Sequence, residues 1–588
     1  MSAPGPRPKK KDRRPGPRPP RVRPRALRAP AKRSTHARFT NLFSPRLLAL
    51  PIPLLTPHEK PPLSPPRFRS WYRPHSLHAI RRLCGQLKAR PTRRLALLEL
   101  AFYLVDFSPL RPLLLALTTR ASARGERPFD PLSLLLLCLW KVFTPLPWST
   151  LAADLAHPEK GALWRRLCGF SPHDTPSESA LRAFRGRLFP GLFNYVLKLF
   201  LAALQRAGLL PPVAATHGYL LVGDGQLHRA RSQSGCHQAV SSCFQPAPRP
   251  CPRREKTQNQ SGCACDTPLC QDHCLLAARL DPQARFIIYS RREKKTDQTT
   301  TVLIETAVFG YRSQATRLVD PRFHCAWNVH SDLFPANAHE GACFRGHFRA
   351  AYANLPQKAL GYAIYDSACS EQECLDTVYD LGGIPLFDLR AAPGDEKVAL
   401  WKERGYDDHG HPLCHLGFPM TYQGLDRSRK QPRARWVCLQ SCRQSEQGAV
   451  ADCPYLTKRR GQYVYIERTL PDGSYRLARL VPHGTPLWDK LTAWRNTSEG
   501  RNSNLAARDL LRFPDYGLPH ATFLVLAADL IENLCTLARL VYEAMLLDPL
   551  FRPLLEEPAT AAVPPARMGP RPSSAQEAGP AREVPTCA

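Results

Sequence analysis

Near residue 211 the hydrophobic period of this chain changes, and no other feature limits the fold as much. Between about residues 76 and 210 apolar side chains recur at helical spacing, whereas from about Gly218 they fall in short β-rich runs separated by polar stretches. The first part holds TRRLALLELAFYLVDF, with Thr92 as an N-cap after Pro91, and FDPLSLLLLCLWKVF, with Pro131 suited to a first helical turn. LPWSTLAADLA follows, then SALRAFRGRLFPGLFNYVLKLFLAALQRAGLL, closed by Gly208 and Pro211. In the second part YLLVGDG, ARFIIYS, FHCAWNVHSDLFPAN, YAIYD and GIPLFDL read as strands. HEGACFRGHFRAAYANL reads as a helix, and so does SEQECLDTVYDL, opened by a Ser370–Glu373 capping box and closed by Gly382 and Gly383. A strand–helix–strand unit of this kind crosses over right-handed with its strands parallel, so Asp366 is expected at the carboxyl end of a strand, where open α/β sheets place ligands. Residues of about 395 to 488 are rich in cysteine and turns and read as an insertion, with GQYVYIERTL and YRLARLVP as a hairpin around PDGS; helices return from Pro486 to about Leu547.

The 588 residues carry a formal net charge of +33, which calls for a polyanionic partner; nucleic acid comes first, because Lys and Arg that neutralise phosphates release counterions. Residues 1–33 contain 13 Lys and Arg, one Asp and nine Pro. Such a segment cannot bury a core, so residues 1–75 are expected to form a disordered basic arm, and residues 551–588 a disordered tail. No signal peptide is readable in MSAPGPRPKKKDRR, PLSLLLLCLW is short and followed by Lys141, and the apolar run from Ala521 is interrupted by Asp529, Glu532, Arg539 and Glu543. The expectation is a soluble cytoplasmic protein with no membrane partner, whose 20 cysteines are thiols or metal ligands rather than disulfides.

Three acidic residues carry the chemistry: Asp224 in YLLVGDGQLH, Asp366 in YAIYDSACSEQE and Glu499 in WRNTSEGRNSN. Either aspartate alone is equally well a turn or cap residue. Together, two carboxylates at strand ends and a third on a later helix are what a pair of hydrated magnesium ions needs for phosphodiester chemistry. Glu499 has Arg495 one turn before it and Asn502 one turn after, a helix face able to hold a metal and a phosphate together; a solvated charged face is the alternative.

With GDGQLH at Asp224, LFPANAHE at 333–340, YDSAC at Asp366 and RNTSEGRNSNL around Glu499, the chain resembles bacterial insertion-sequence transposases of the DDE class. The resemblance covers about residues 95–545 and implies an α/β ribonuclease-H-like catalytic core at 211–550 with a β-rich insertion at about 395–488, preceded by a helical DNA-binding domain at 76–210. It further implies Asp224, Asp366 and Glu499 as catalytic ligands of Mg2+ or Mn2+, and Arg495, Arg501 and Asn502 as DNA-contacting. The partners implied are double-stranded DNA, both element ends and target, and a second copy of the chain in a synaptic homodimer. Such a protein is expected in the bacterial nucleoid. Family members commonly have a basic residue directly after the glutamate and another about two turns later; here these places hold Gly500 and Ala506. A nuclease without strand transfer, a decayed transposase and a zinc-containing DNA-binding protein without catalysis remain as alternatives.

The cysteines form two groups, Cys263, Cys265, Cys270 and Cys274, and Cys438, Cys442 and Cys453. Clustering suits tetrahedral zinc, but neither group has paired CxxC spacing, so reduced thiols are the competing reading. The arm yields a first test. Deleting residues 2–33 is expected to weaken binding to unrelated duplex DNA and to lower the log affinity versus log salt slope by about 0.9 for each phosphate that the arm no longer neutralises. Preference for the element's ends should be unchanged. Gel-shift titrations over a salt series check this; an unchanged slope means that the arm does not touch DNA.

Overall fold

The computed structural model describes residues 52–54, 68–76, 79–80, 82–83, 94–118, 127–213, 218–232, 281–294, 301–388, 405–407, 411–428, 432–438, 453–455, 461–466, 479–483 and 485–547. Its first layer is helical: α1 (Arg94–Leu104), α2 (Arg111–Thr118), α3 (Pro131–Phe143), α4 (Trp148–Ala156), α5 (Ala162–Cys168), α6 (Glu178–Arg187) and α7 (Leu192–Arg206). Asp130 caps α3, its carboxylate accepting from the Leu132 N–H, with Pro131 at the first helical position. A short strand β1 (Ile52–Pro53) pairs with β2 (Val105–Asp106), Tyr72 is buried, and Arg69 bonds Asp174. The expectation of a disordered arm to residue 75 is therefore corrected for 52–54 and 68–75, where apolar side chains such as Leu54 and Tyr72 are buried. Thr92 lies outside the described residues.

Beyond the helices runs a sheet of β3 (Tyr219–Arg229), β4 (Arg285–Lys294), β5 (Thr301–Asp320), β6 (Cys325–Pro335), β7 (Leu360–Tyr365) and β8 (Ile384–Phe387). β5 pairs antiparallel with β4, β6 and β3, whereas β7 pairs parallel with β3 and β8 parallel with β7. Helix α8 (Glu340–Asn354) connects β6 to β7, and α9 (Gln372–Asp380) connects β7 to β8. The protein is thus mixed α/β. The expected capping box is absent: Glu371 occupies the N-cap of α9 without a side-chain bond, and the Ser370 hydroxyl is buried without a partner. A smaller sheet follows, β9 (Thr421–Asp426), β10 (Arg433–Val437) and β11 (Tyr463–Ile466), in the order β11-β10-β9. β11 pairs with β10, and the hairpin turn expected around PDGS lies outside the described residues.

The chain returns through α10 (Pro486–Thr492), α11 (Asn496–Ala506) and α12 (Leu518–Leu547). By length and composition Leu518–Ala544 could cross a membrane, yet 83% of its apolar window is buried inside the fold. It packs on α1, α3, α7 and β6. Its charges explain why it belongs there. Arg501 of α11, 1% exposed, grips Asp529 with Nε to Oδ1 at 2.7 Å and an η nitrogen to Oδ2 at 3.0 Å; Ser331 Oγ donates to the same Oδ2 at 2.6 Å. Arg317 donates to Glu532 at 2.7 Å, and Asn328 and Asn533 exchange bonds between β6 and α12. A buried pair that loses one partner strands the other charge in a low-dielectric interior. Arg501→Met is accordingly expected to cost about 3–5 kcal/mol, with Arg501→Met/Asp529→Leu recovering part of the loss. Urea denaturation of the three proteins checks this, and equal stability of the single variant and the parent would refute it.

Candidate active site

Parallel pairing of β3 with β7 sets Val222 beside Ile364. β7 ends at Tyr365 and Asp366 follows it directly, so continuing this register carries Asp366 toward Asp224 on β3, near enough for its charge to act on the Asp224 carboxyl. Gly223 allows this approach: a Cβ there would lie 2.0 Å from the ring of the buried Tyr365. One Asp224 oxygen accepts from the Gly225 N–H at 2.9 Å, the other from the Asn502 side-chain amide at 2.9 Å. Asp366 caps a single 3-10 turn, accepting from the Ala368 N–H at 3.0 Å. The structure therefore brings together the two aspartates read from the sequence.

The third carboxylate among them is Glu340. It opens α8 and is paired with Arg312 at 2.7 Å. It overlies Gly225, where a Cβ would sit 2.8 Å from its Oε1. Ligand atoms of Glu340, Asp366 and Cys369 lie within 4.8 Å of one another. Burial first, then the charge of Asp366, holds the Asp224 carboxyl above the usual aspartate range, against Arg495, the Gly225 N–H and Arg501. Glu340 is raised by burial and by Asp366 and Asp224, with Arg312 and Arg495 opposing. The Cys369 thiol is pushed up by burial and Asp366, and its soft sulfur suits a hard cation less than the neighbouring carboxylate oxygens do. Carboxylates that raise one another's affinity for protons form a donor set suited to a divalent cation bound through oxygen.

Glu499 lies in the first turn of α11, exposed, and the charges that most perturb Asp224 and Glu340 do not include it. It shares a face with Asn502, one turn on, whose amide reaches Asp224. Arg495 is held by Asp388 at 3.0 Å, and Asp388 immediately follows β8. Arg501 corrects an expectation: its guanidinium is buried against Asp529 and is not offered to DNA, nor can it stand in for the basic residue missing at Gly500. Sequence reasoning misses Glu340 and Arg312, although the former stands in PANAHE, at the head of a helix beside a turn.

Helix α11 is fixed against β3 by more than Asn502. His228, fully buried and lowered to about 4 by desolvation, bonds the Leu510 carbonyl at 2.7 Å and Ser313 Oγ at 2.8 Å. The Arg229 N–H donates to the Leu511 carbonyl at 2.7 Å, and the Arg229 carbonyl accepts from the Phe513 N–H at 3.0 Å.

Cys263, Cys265, Cys270, Cys274 and Cys442 lie outside the described residues. Cys453 is a free thiol, and among the described residues neither it nor Cys438 joins a group of three metal-ligating atoms. The chain matches no protein-family model and no curated protein sequence.

The raised carboxyls predict a pH effect. A carboxyl whose folded pKa exceeds its unfolded value, roughly 3.9 for Asp and 4.3 for Glu, contributes stability that is present below that range and lost as pH rises through the folded value. Asp366→Asn removes the charge that raises both neighbours while keeping the cap. The variant is expected to gain stability relative to the parent as pH rises from about 4 to about 7, in chelator. Urea midpoints across that range check it; a difference independent of pH counts against the coupling.

Proposed function

We infer that the protein is a DNA transposase of the DDE class with a ribonuclease-H-like core. One observation carries the reading: Asp224 on β3 and Asp366, directly after the parallel neighbour β7, are close enough for their charges to interact in a sheet ordered β6-β5-β3-β7-β8, and α11 returns to touch Asp224 through Asn502. Three antiparallel strands followed by two parallel ones, with Asp366 just past the end of β7 and Asp224 midway along β3, support that core. The net charge of +33 supports a DNA partner.

Asp224 and Asp366 would hold two Mg2+ ions. When bound, such ions activate a water or 3′ hydroxyl and stabilise the leaving oxygen of an in-line displacement. The chain's own residues prepare for this: the Gly225 N–H and the Asn502 amide orient the two oxygens of Asp224, and the Ala368 N–H orients Asp366. Glu499, on the Asn502 face of α11, supplies the third ligand of the DDE set, and Arg495 on that face meets a DNA phosphate. Glu340 lines the same cluster from α8 and balances its charge through Arg312. Cleavage at the element's ends and strand transfer in a synaptic dimer complete the reading. An inactive DNA-binding protein is the second reading, favoured by Asn502 occupying one oxygen of Asp224.

Cleavage of a supercoiled plasmid carrying the nucleotides that flank the reading frame, with Mg2+, decides between them. Asp224→Asn and Asp366→Asn should lower cleavage by at least about 100-fold, the upper range for loss of an outer-shell partner, with DNA affinity within a factor of a few. Glu499→Gln should behave like the aspartate variants. If instead Glu340→Gln is the one that abolishes cleavage, the third ligand comes from α8. A parent protein that binds the ends without Mg2+-dependent cleavage refutes the enzymatic reading.

A further inference from the structure

Two histidines and an aspartate that play no part in the acid cluster meet between β6 and α8. Pairing of β6 with β5 skips Val329, opposite the step from Thr316 to Arg317. This extra residue resets the alternation of side chains. Asn328 and Ser331 can then both bond α12, while His330 and Asp332, two residues apart on one face, turn to α8. His347, buried midway along α8, completes the group. His330 Nε2 lies 2.9 Å and His347 Nδ1 2.8 Å from the same oxygen, Asp332 Oδ2. The three ligating atoms lie within 4.8 Å of one another.

We propose that His330, Asp332 and His347 form a binding site for a divalent transition metal, zinc by ligand type, with one coordination position open to solvent. Two imidazoles and a carboxylate are a known three-ligand zinc set. Metal-bound histidines use their second nitrogen to bond an outer group, and both do so here. His347 Nε2 meets Thr316 Oγ at 2.8 Å, and Thr316 Oγ in turn meets the Tyr365 hydroxyl at 2.5 Å; His330 Nδ1 meets the Asn354 amide at 3.2 Å. The Tyr365–Thr316 chain is made of hydroxyls, which donate or accept in either direction. Reversing it lets His347 carry its proton on Nε2 and release Nδ1 to the ion. At His330 the same exchange needs the Asn354 amide to turn over and give up its 3.1 Å bond to the Val329 carbonyl. Asp332 has a side-chain exposure of 33% against 9% and 0% for the histidines, so solvent reaches the ion from the aspartate side. The site would clamp β6 to the helix whose first residue is Glu340, linking zinc occupancy to the acid cluster without entering it.

The test uses the full chain, reduced, with its cysteines alkylated to remove thiolate sites, in excess Mg2+ to saturate the carboxylates. Titration with Co2+ should give one equivalent with visible d–d bands and no sulfur charge-transfer band, displaced by Zn2+. Asp332→Asn and His330→Gln, each checked for folding by circular dichroism, should weaken binding by at least about 100-fold, whereas Asp224→Asn leaves it unchanged. No Co2+ bound by the alkylated chain, or equal affinity in folded Asp332→Asn and the parent, overturns the proposal. The parent titration decides even if neither variant folds.

Discussion

The buried pair of Arg501 and Asp529 is the interaction on which the site's assembly rests. Its two nitrogen–oxygen bonds join a short helix of low apolar content to a long helix anchored across two layers. α11 buries only Ser498, Arg501 and Leu505, too little apolar surface to hold it by hydrophobic burial alone. Charge and hydrogen bonds do that work: Arg501 from below, Arg317 to the Thr497 carbonyl, and His228 and Arg229 at the following turn. In consequence Asn502 and Glu499 are presented along β3, and the same ion pair makes a helix with a membrane-like apolar window a component of a protein core.

The elements with uniform surroundings are legible in the sequence. YLLVGDG, YAIYD and GIPLF are buried on both sides and read as apolar runs, and the parallel crossover places Asp366 at a strand end. β5 is not legible, because its buried positions include Ser313, Thr316 and Arg317, whose partners are supplied by distant elements. A strand that buries polar groups shows no alternation in its own sequence. Similar reasons hide Glu340 and misplace Arg501. A glutamate at a helix start and an arginine in a polar helix look solvated until the tertiary partners, Arg312 and Asp529, are known. Asp224 and Asp366 can be found because glycines and a strand end mark them locally; Glu499 stands out by resemblance, and the structure leaves it exposed on the helix whose Asn502 reaches Asp224.

The polar groups of the two layers are divided by one inserted residue. Without the bulge at Val329 the strand would present either α8 or α12 with the wrong set of side chains along half its length. With it, β6 serves an ion-pair network on one side and an imidazole–carboxylate group on the other, while Trp327 fills the apolar space against Phe200.

The parallel register of β3 and β7 has a bearing on how such a chain can change over time. Because the strands that carry Asp224 and lead to Asp366 are joined by a ladder of backbone hydrogen bonds and not by the path between them, the intervening chain can vary in length. Segments can lengthen, shrink or acquire new modules at the loops between strands while β3 and β7 keep their pairing. The same freedom does not extend to Gly223, where a single methyl group would meet the Tyr365 ring. In this chain the tolerance for large alterations and the intolerance of the smallest one therefore lie side by side, one residue from the first aspartate.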